Sequence, residues 1–399
     1  MKAASPDTVL VVHPGAELYG SDRVLLGSVT GLIREGWRVV VVLPAPGPLV
    51  AALTAERAEV EFAPQFVLRK RLLRPRGWGE LLTTAAKGVI GAWGALRRHS
   101  PSVVLVNTIT IPVWPLVARL RRVPTVVHVH EGESQARPWL KRVLYAPLLA
   151  AQRIIVNSRF SLAVMADSFA CLAARSQVIL NAVPGPETVT PPRPELVPGP
   201  RLAYIGRLSP RKGVDLIVSA LRLLRDAGRP ATLDLYGAVF PGYEWYEAEL
   251  LSLIHSSDLT DAVTLHGFVD DVWPGLSAAD IVVVPSRLDE PFGNTAVEGI
   301  LAARPVVVSE TSGLREATHG YATAFGVPAG SADALATAVA RIADSWDAIL
   351  PGLEPARAEA IHRHDPAAYG RAVAQVVAET AGPIGAAHTS TRDAVSFRA

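Results

Sequence analysis

One cysteine, Cys171, stands in 399 residues, beside only two methionines. A lone thiol excludes a disulfide framework and a cysteine metal cage, and it points to a reducing cytosolic setting. Long apolar runs are missing too. The best candidate, Val39 to Leu53, is broken at Pro44, Pro46 and Pro48 and falls short of the roughly 20 residues a membrane span needs. No secretory pattern opens the chain: Val9 to Val12 is a short strand-like run, not a long apolar core behind a basic start. Net charge is only +2 and charged residues are 19%. No aromatics interleave the basic stretches and no nucleic-acid module is visible, so nucleic acid is not an expected partner.

What is abundant points the other way. Hydrophobic residues make up 49%, which suits α/β sheets buried on both faces, and the length favours two domains. The 32 prolines and 31 glycines act as punctuation. Charge is uneven. Residues 1–183 hold 22 Lys/Arg against 11 Asp/Glu, giving +11, and the remainder hold 17 against 26, giving −9. A basic half joined to an acidic half suggests that one domain meets an anionic partner.

Short apolar runs alternate with amphipathic helices throughout. Strands are predicted at Val9–Val12, Val39–Leu43, Val103–Val106, Thr125–Val129 and Ile154–Val156, with a helix over Asp22–Glu35 stopped at Gly36. A second series follows at Leu202–Ile205, Thr232–Tyr236, Val263–Leu265, Ile281–Val284 and Pro305–Val308. This βαβ order predicts parallel, doubly wound sheets. Between the two series, residues 184–200 carry seven prolines in seventeen positions, read as a stiff extended linker. The expected fold class is therefore α/β, two Rossmann-like domains facing one another across a central cleft. Residues 1–183 form the first domain and 201–365 the second. A helix within 366–382 crosses back to the first domain, and 383–399, small and polar, form a disordered tail.

The most informative stretch is Pro285-Ser286-Arg287-Leu288-Asp289-Glu290-Pro291-Phe292-Gly293-Asn294-Thr295-Ala296-Val297-Glu298-Gly299. A buried strand precedes it, Pro291 and Gly293 break the chain, and Asn294 is placed to cap a helix running to about Ala303. Glu290 then lies on a loop at the C-terminal end of a strand, with Glu298 about one turn into the next helix. Both can face the crevice where open α/β sheets bind ligands. Two carboxylates alone would equally describe solvated surface; their neighbours favour a site.

The second domain opens with Tyr204-Ile205-Gly206-Arg207-Leu208-Ser209-Pro210-Arg211-Lys212-Gly213. Gly206 and Gly213 let backbone approach a ligand, and Arg207 and Lys212 can neutralise a diphosphate, one as a fork and one as a point charge. It is not a P-loop, and it lacks the Gly-x-Gly-x-x-Gly fingerprint of nicotinamide enzymes. In the first domain, Gly20 and Ser21 follow the first strand, and His128-Val129-His130-Glu131 ends another strand. A strand-end imidazole can donate to a hydroxyl or position a substrate, with His130 favoured over the deeper His128. A zinc site on both is disfavoured because further ligands are lacking. Arg69, Lys70, Arg71, Arg74 and Arg76 lie beside leucines and Trp78, a dock for an anionic lipid surface or a lipid-phosphate-linked substrate, or else a solvated loop.

Gly-Arg-Leu-Ser-Pro-x-Lys-Gly at 206–213, with Glu-Pro-Phe-Gly and then Glu at 290–298, closely resembles the retaining GT-B glycosyltransferases of family 4. The resemblance covers the whole chain. His266-Gly267-Phe268-Val269 resembles the family's segment near the nucleotide base, Ser312-Gly313-Leu314-Arg315-Glu316 its Gly-Gly-x-x-Glu turn, and Asn181-Ala182-Val183 its Asn-Gly-Val. It implies transfer of a hexosyl-type sugar from a nucleotide-sugar donor to a glycan or lipid-linked acceptor, in polysaccharide or glycoconjugate synthesis. Glu290 would serve the sugar and Glu298 the ribose. Backbone N–H groups at Phe292, Gly293 and Asn294 would hold hydroxyls and phosphate. Arg207 and Lys212 would stabilise the leaving diphosphate, with Gly206, Gly20 and Ser21 nearby and Phe268 by the base. The loop at Gly20 departs from the family's Gly-Gly pair, and His130 matches its histidine near the reacting centre. With no Asp-x-Asp motif in place, since Asp270 and Asp271 are adjacent, neither metal nor cofactor is expected. The location expected is cytoplasmic, with peripheral membrane contact. The alternatives are a sugar-nucleotide epimerase or phosphorylase on this architecture, and a non-catalytic binding or scaffold protein.

Overall fold

Among the described residues, 7–18, 20–68 and 78–382, the computed structural model places thirteen strands in two wholly parallel sheets. The first sheet holds β1 (Thr8–Val12), β2 (Arg38–Leu43), β3 (Glu59–Phe62), β4 (Val103–Val106), β5 (Thr125–Val129), β6 (Arg153–Val156) and β7 (Ser176–Val178). Its order is β3-β2-β1-β4-β5-β6-β7, so the winding reverses between β1 and β4. The central strands are runs of valine, whose branched side chains are stiff and fit a pleated surface buried on both sides. Val9, Leu10, Val11 and Val12 are all fully buried.

The first unit takes in the chain up to Asn157, Ser161–Ile179 and the chain from Pro366. Its late contribution is the helix Pro366–Ala381, which packs on the helix Gly20–Arg34. The two axes come close because glycine meets glycine: a Cβ on Gly31 would stand 2.3 Å from Gly370 Cα. Beside this crossing the Ser28 and Tyr369 hydroxyls are 2.7 Å apart.

The second unit, Ser158–Phe160 with Leu180–Asp365, is built on β8 (Arg201–Ile205), β9 (Thr232–Tyr236), β10 (Val263–Gly267), β11 (Ile281–Val284), β12 (Val306–Ser309) and β13 (Ala324–Val327). The order β10-β9-β8-β11-β12-β13 places its reversal between β8 and β11. Strand periodicity sorts β11 between two cores. Ile281 and Val283 join Leu202, Leu235 and Val307 on one face, while Val282 and Val284 join Val306, Ile300 and Leu301 on the other.

Three strands, β3, β7 and β13, were not anticipated, and all lie at sheet edges. β3 reads Glu-Val-Glu-Phe, and its Glu59 accepts a fork from Arg38 of β2 at 2.8 and 2.7 Å, so polar cross-strand pairing replaces the apolar signal. Residues 184–200, the expected linker, are bonded to the second unit. Arg193 forks onto Asp280, which is almost wholly buried, and donates to the Val197 and Gly199 carbonyls at 2.9 Å each. Trp346 Nε1 donates to the Arg193 carbonyl at 2.9 Å, fastening the proline-rich stretch to the second unit. Arg69, Lys70, Arg71, Arg74, Arg76 and the tail 383–399 lie outside the described residues. No described helix is long and apolar enough to cross a membrane.

Candidate functional site

In the second unit, the loops leaving β8 and β11 flank the reversal point, the place where doubly wound sheets bind ligands. Glycines bring these loops together. Gly213 has φ +68°, and a Cβ there would stand 2.2 Å from the Pro285 carbonyl oxygen. Gly206 has φ +145° and its N–H donates to the Tyr236 carbonyl at 2.9 Å, holding the turn after β8 against β9. Two bonds then fasten the loops. The Arg287 N–H donates to the Arg211 carbonyl at 2.9 Å, and the Arg211 guanidinium donates to the Asp289 carbonyl at 2.6 Å.

Lys212 Nζ lies 2.8 Å from Glu290 Oε1, which also accepts from Ser286 Oγ at 2.8 Å. Glu290 is only 7% exposed. Burial pushes its carboxyl up, but Lys212, Arg211 and the two hydrogen bonds more than offset this and hold it below the usual range. It is therefore a carboxylate at neutral pH. Arg207 lies with its guanidinium 3.3 Å above the ring centroid of Phe240, on the segment leaving β9, a cation–π placement.

Downstream, Phe292 turns its side chain inward, edge-on to His364 at 5.7 Å, leaving only its backbone for a ligand. The helix spans Asn294–Leu301, two residues shorter than anticipated, and its cap is Gly293 at φ +138° with no side-chain cap bond. Asn294 is the first helical residue instead, and its Oδ1 accepts from Asn181 Nδ2 at 2.9 Å. Glu298 is the fifth residue of this helix and partly buried. Gly313 permits close approach, since a Cβ there would meet the Glu290 carbonyl oxygen at 2.0 Å, and Asp289 Oδ1 accepts from the Ser312 N–H. Glu316 accepts from the Arg159 and Phe160 N–H groups at 2.8 and 3.2 Å. At the end of β10 the His266 ring stacks on Tyr236 at 4.3 Å and bonds Asp234 at 2.6 Å, and Phe268 just beyond is half-exposed.

In the first unit the same rule of strand ends gathers a second cluster. His130 follows β5, and its Nε2 is 2.9 Å from Asn107 Oδ1, the residue directly after β4. Asn107 Nδ2 is 3.0 Å from Nδ1 of His13, the residue directly after β1, and His13 Nε2 is 2.6 Å from Asp22 Oδ1. Burial pushes His130 well below the usual imidazole range, helped by the neighbouring His128 and His13. Burial also pushes the Glu131 carboxyl up, although Thr108 and the Ile109 and His130 N–H groups bond it. His128 lies one step deeper, fully buried, with no partner on either nitrogen and pushed down to about 3 by burial. Gly20 and Ser21 open the helix Gly20–Arg34 and are exposed.

Sequence reasoning brought out Lys212, Glu290, Arg207 and His130 but passed over His13, Asp22 and Asn107. A usable signal existed: each of His13 and Asn107 is the first polar residue after a valine-rich strand flanking the reversal.

Two parallel-sheet Rossmann-like units, each carrying chemistry at its strand ends, define a GT-B protein. Two family models match the chain, Glycosyltransferase Family 4 over residues 19–184 and Glycosyl transferases group 1 over residues 199–345. The chain belongs to these family 4 GT-B glycosyltransferases. It is 26% identical over 292 residues to the 2-deoxystreptamine glucosyltransferase of Streptomyces kanamyceticus, covering 66% of this chain and 73% of that one. It is likewise 26% identical over 296 residues to the phosphatidyl-myo-inositol mannosyltransferase of Mycobacterium leprae, covering 69% and 71%. Among solved structures, Anabaena Alr3699/HepE in complex with UDP and glucose has a TM-score of 0.76 at 22% identity, over 92% of this chain and 98% of that one.

Proposed function

We propose that the chain moves a hexosyl-type sugar, with retention of configuration, from a nucleotide-diphosphate sugar to a glycan or lipid-linked acceptor. The observation that carries this is the Lys212–Glu290 contact at 2.8 Å, between the two loops at the reversal of the second sheet. A departing diphosphate gains negative charge in the transition state, and Lys212 with Arg207 supplies the fixed positive charge to meet it. Lys212 then exchanges part of its contact with Glu290 for phosphate, and the ionised Glu290 is released to accept from sugar hydroxyls. Glu298 takes the ribose hydroxyls, and the N–H groups at Phe292, Gly293 and Asn294 take phosphate or sugar oxygens at a helix start. No metal is invoked. The leaving phosphate is the base for the incoming hydroxyl. The UDP and UDP-glucose bound by Anabaena HepE support the donor class, and the glucosyl- and mannosyltransferase names of the relatives support a hexose.

Thermal-shift titration with UDP-, GDP-, ADP- and dTDP-sugars tests the donor site, since a ligand at 100 times its Kd adds about 2.7 kcal/mol. One nucleotide family should shift the protein, and Lys212→Ala and Glu298→Ala should abolish the shift. No shift with any of the four overturns the donor assignment. Product analysis with acceptor then separates transfer from epimerisation or phosphorolysis.

The anionic partner suggested by charge is a lipid surface, and the helix Trp78–His99 supports it. Trp78, Leu82, Val89 and Trp93 share one face of that helix and are all exposed, with Ile90 alongside at 72%. Arg121 lies 4.7 Å over the Trp93 ring, and Lys87, Arg97 and Arg98 outnumber the one acid, Glu80. An apolar stripe edged by cations matches an anionic bilayer boundary.

A further inference from the structure

We infer that Asp22, His13 and Asn107 form a positioning chain that holds His130 as its Nε2–H tautomer, presenting Nδ1 to a substrate as a hydrogen-bond acceptor. The inference rests on the reading of His130 as part of the transfer site. The steps follow from donor and acceptor inventories. A carboxylate oxygen only accepts, so the 2.6 Å contact from Asp22 Oδ1 puts a proton on His13 Nε2. An amide nitrogen only donates, so Asn107 Nδ2 at 3.0 Å needs a lone pair on His13 Nδ1. That fixes the direction of the Asn107 amide and leaves Oδ1, an acceptor, 2.9 Å from His130 Nε2. The proton of neutral His130 is thereby assigned to Nε2. Among the described residues, none bonds its Nδ1.

Each member is held. His13 and Asn107 are 1% exposed and Asp22 is 5% exposed, so water has little room to reverse a bond. They follow β1 and β4, while His130 follows β5, three strands adjacent in the sheet, and Asp22 sits in the first turn of the helix after β1. The His128 ring packs against His130 with centroids 4.0 Å apart and limits its rotation. Titratable groups facing His130 are His128, His13 and Glu131, and burial with the two neighbouring imidazoles keeps it neutral.

The consequence is a direction of bonding. Of the two roles a strand-end imidazole can take, donor or acceptor, the chain leaves the second. A hydroxyl of the donor sugar donates to Nδ1 and its oxygen is oriented, while the incoming hydroxyl keeps its proton for the leaving phosphate.

The test uses the full chain with isotope-labelled histidine and reads ring nitrogens by long-range proton–nitrogen correlation, with His130→Gln to assign the signal. The unmodified protein should show His130 Nδ1 as the unprotonated, pyridine-like nitrogen. Asn107→Leu should lose that bias and populate both tautomers. His13→Gln, whose amide offers a donor to Asp22 and an acceptor to Asn107, should keep it, whereas His13→Leu should not. A His130 proton found on Nδ1 in the unmodified protein overturns the proposal, and so does an unchanged tautomer in folded Asn107→Leu or His13→Leu. The reading needs neither donor nor acceptor, so a failed donor assignment does not mask it. In turnover, His13→Leu should lower kcat by about tenfold or more with donor KM unchanged, and His13→Gln should restore most of it.

Discussion

Gly213 shows how one missing side chain sets the geometry of a site. Its φ of +68° and the 2.2 Å approach to the Pro285 carbonyl leave no place for a Cβ, and Lys212 beside it reaches Glu290 only because the loops are that close. Gly228, in the same unit, has a nearly identical φ of +69° and open space around it. Gly228→Ala should therefore cost only the left-handed backbone term, about 1–2 kcal/mol. Gly213→Ala should cost clearly more and also abolish the donor thermal shift. Urea unfolding of both variants checks this, and equal losses would show that the Pro285 contact decides nothing. At this scale the sequence was readable where chemistry is local. Gly206 to Gly213 and Glu290 to Glu298 are short segments whose order announces loop, cation and helix. His13, Asp22, Asn107 and His130 span more than a hundred positions, and only strand order brings them together.

Among the elements, central strands were legible because burial on both faces favours unbroken runs of valine, isoleucine and leucine, as in β1, β4 and β11. Edge strands β3 and β7 were not, because one flank faces no neighbour and Glu59, Glu61, Ser176 and Gln177 are tolerated there, and β13, Ala-Phe-Gly-Val, is short and interrupted by glycine. The helix Trp78–His99 is an element whose outer face leaves Trp78, Leu82, Ile90 and Trp93 exposed. Its exposed stripe should draw the protein onto vesicles containing phosphatidylglycerol and not onto pure phosphatidylcholine. Leu82→Ser with Ile90→Ser should weaken that partition roughly tenfold or more, as expected for apolar area worth about 25 cal/mol per Å². Flotation assays read it; absence of binding by the unmodified protein, or binding indifferent to both substitutions, defeats the membrane reading.

For the whole molecule, acid is the informative stress. His128 in the first unit is pushed down to about 3 and His364 in the second to about 4, both by burial. Their folded values lie below the unfolded value of about 6.5, so the unfolded chain binds more protons in between. Stability is full above about 6.5, and each histidine removes roughly 1.4 kcal/mol per pH unit as pH falls below it, down to its folded value. Glu131 acts with opposite sign, since its raised carboxyl is relieved of charge as pH falls. Urea midpoints at pH of about 7 and about 5.5 should show the loss, and His128→Leu should lessen the slope for the first unit, where the buried His130 adds a loss of the same sign, while leaving the second unchanged. An identical slope in His128→Leu would refute the assignment. The Gly31–Gly370 crossing carries a different message, about time. The partner of the helix Gly20–Arg34 is made only after the whole second unit, and Tyr369, whose ring lies 6.4 Å from His128, arrives with it. During synthesis the first sheet must wait, uncovered over β4 to β6 on one face, while the ribosome makes the entire second unit. The second unit can complete itself earlier, and the first half of this sequence is the last to become a finished domain.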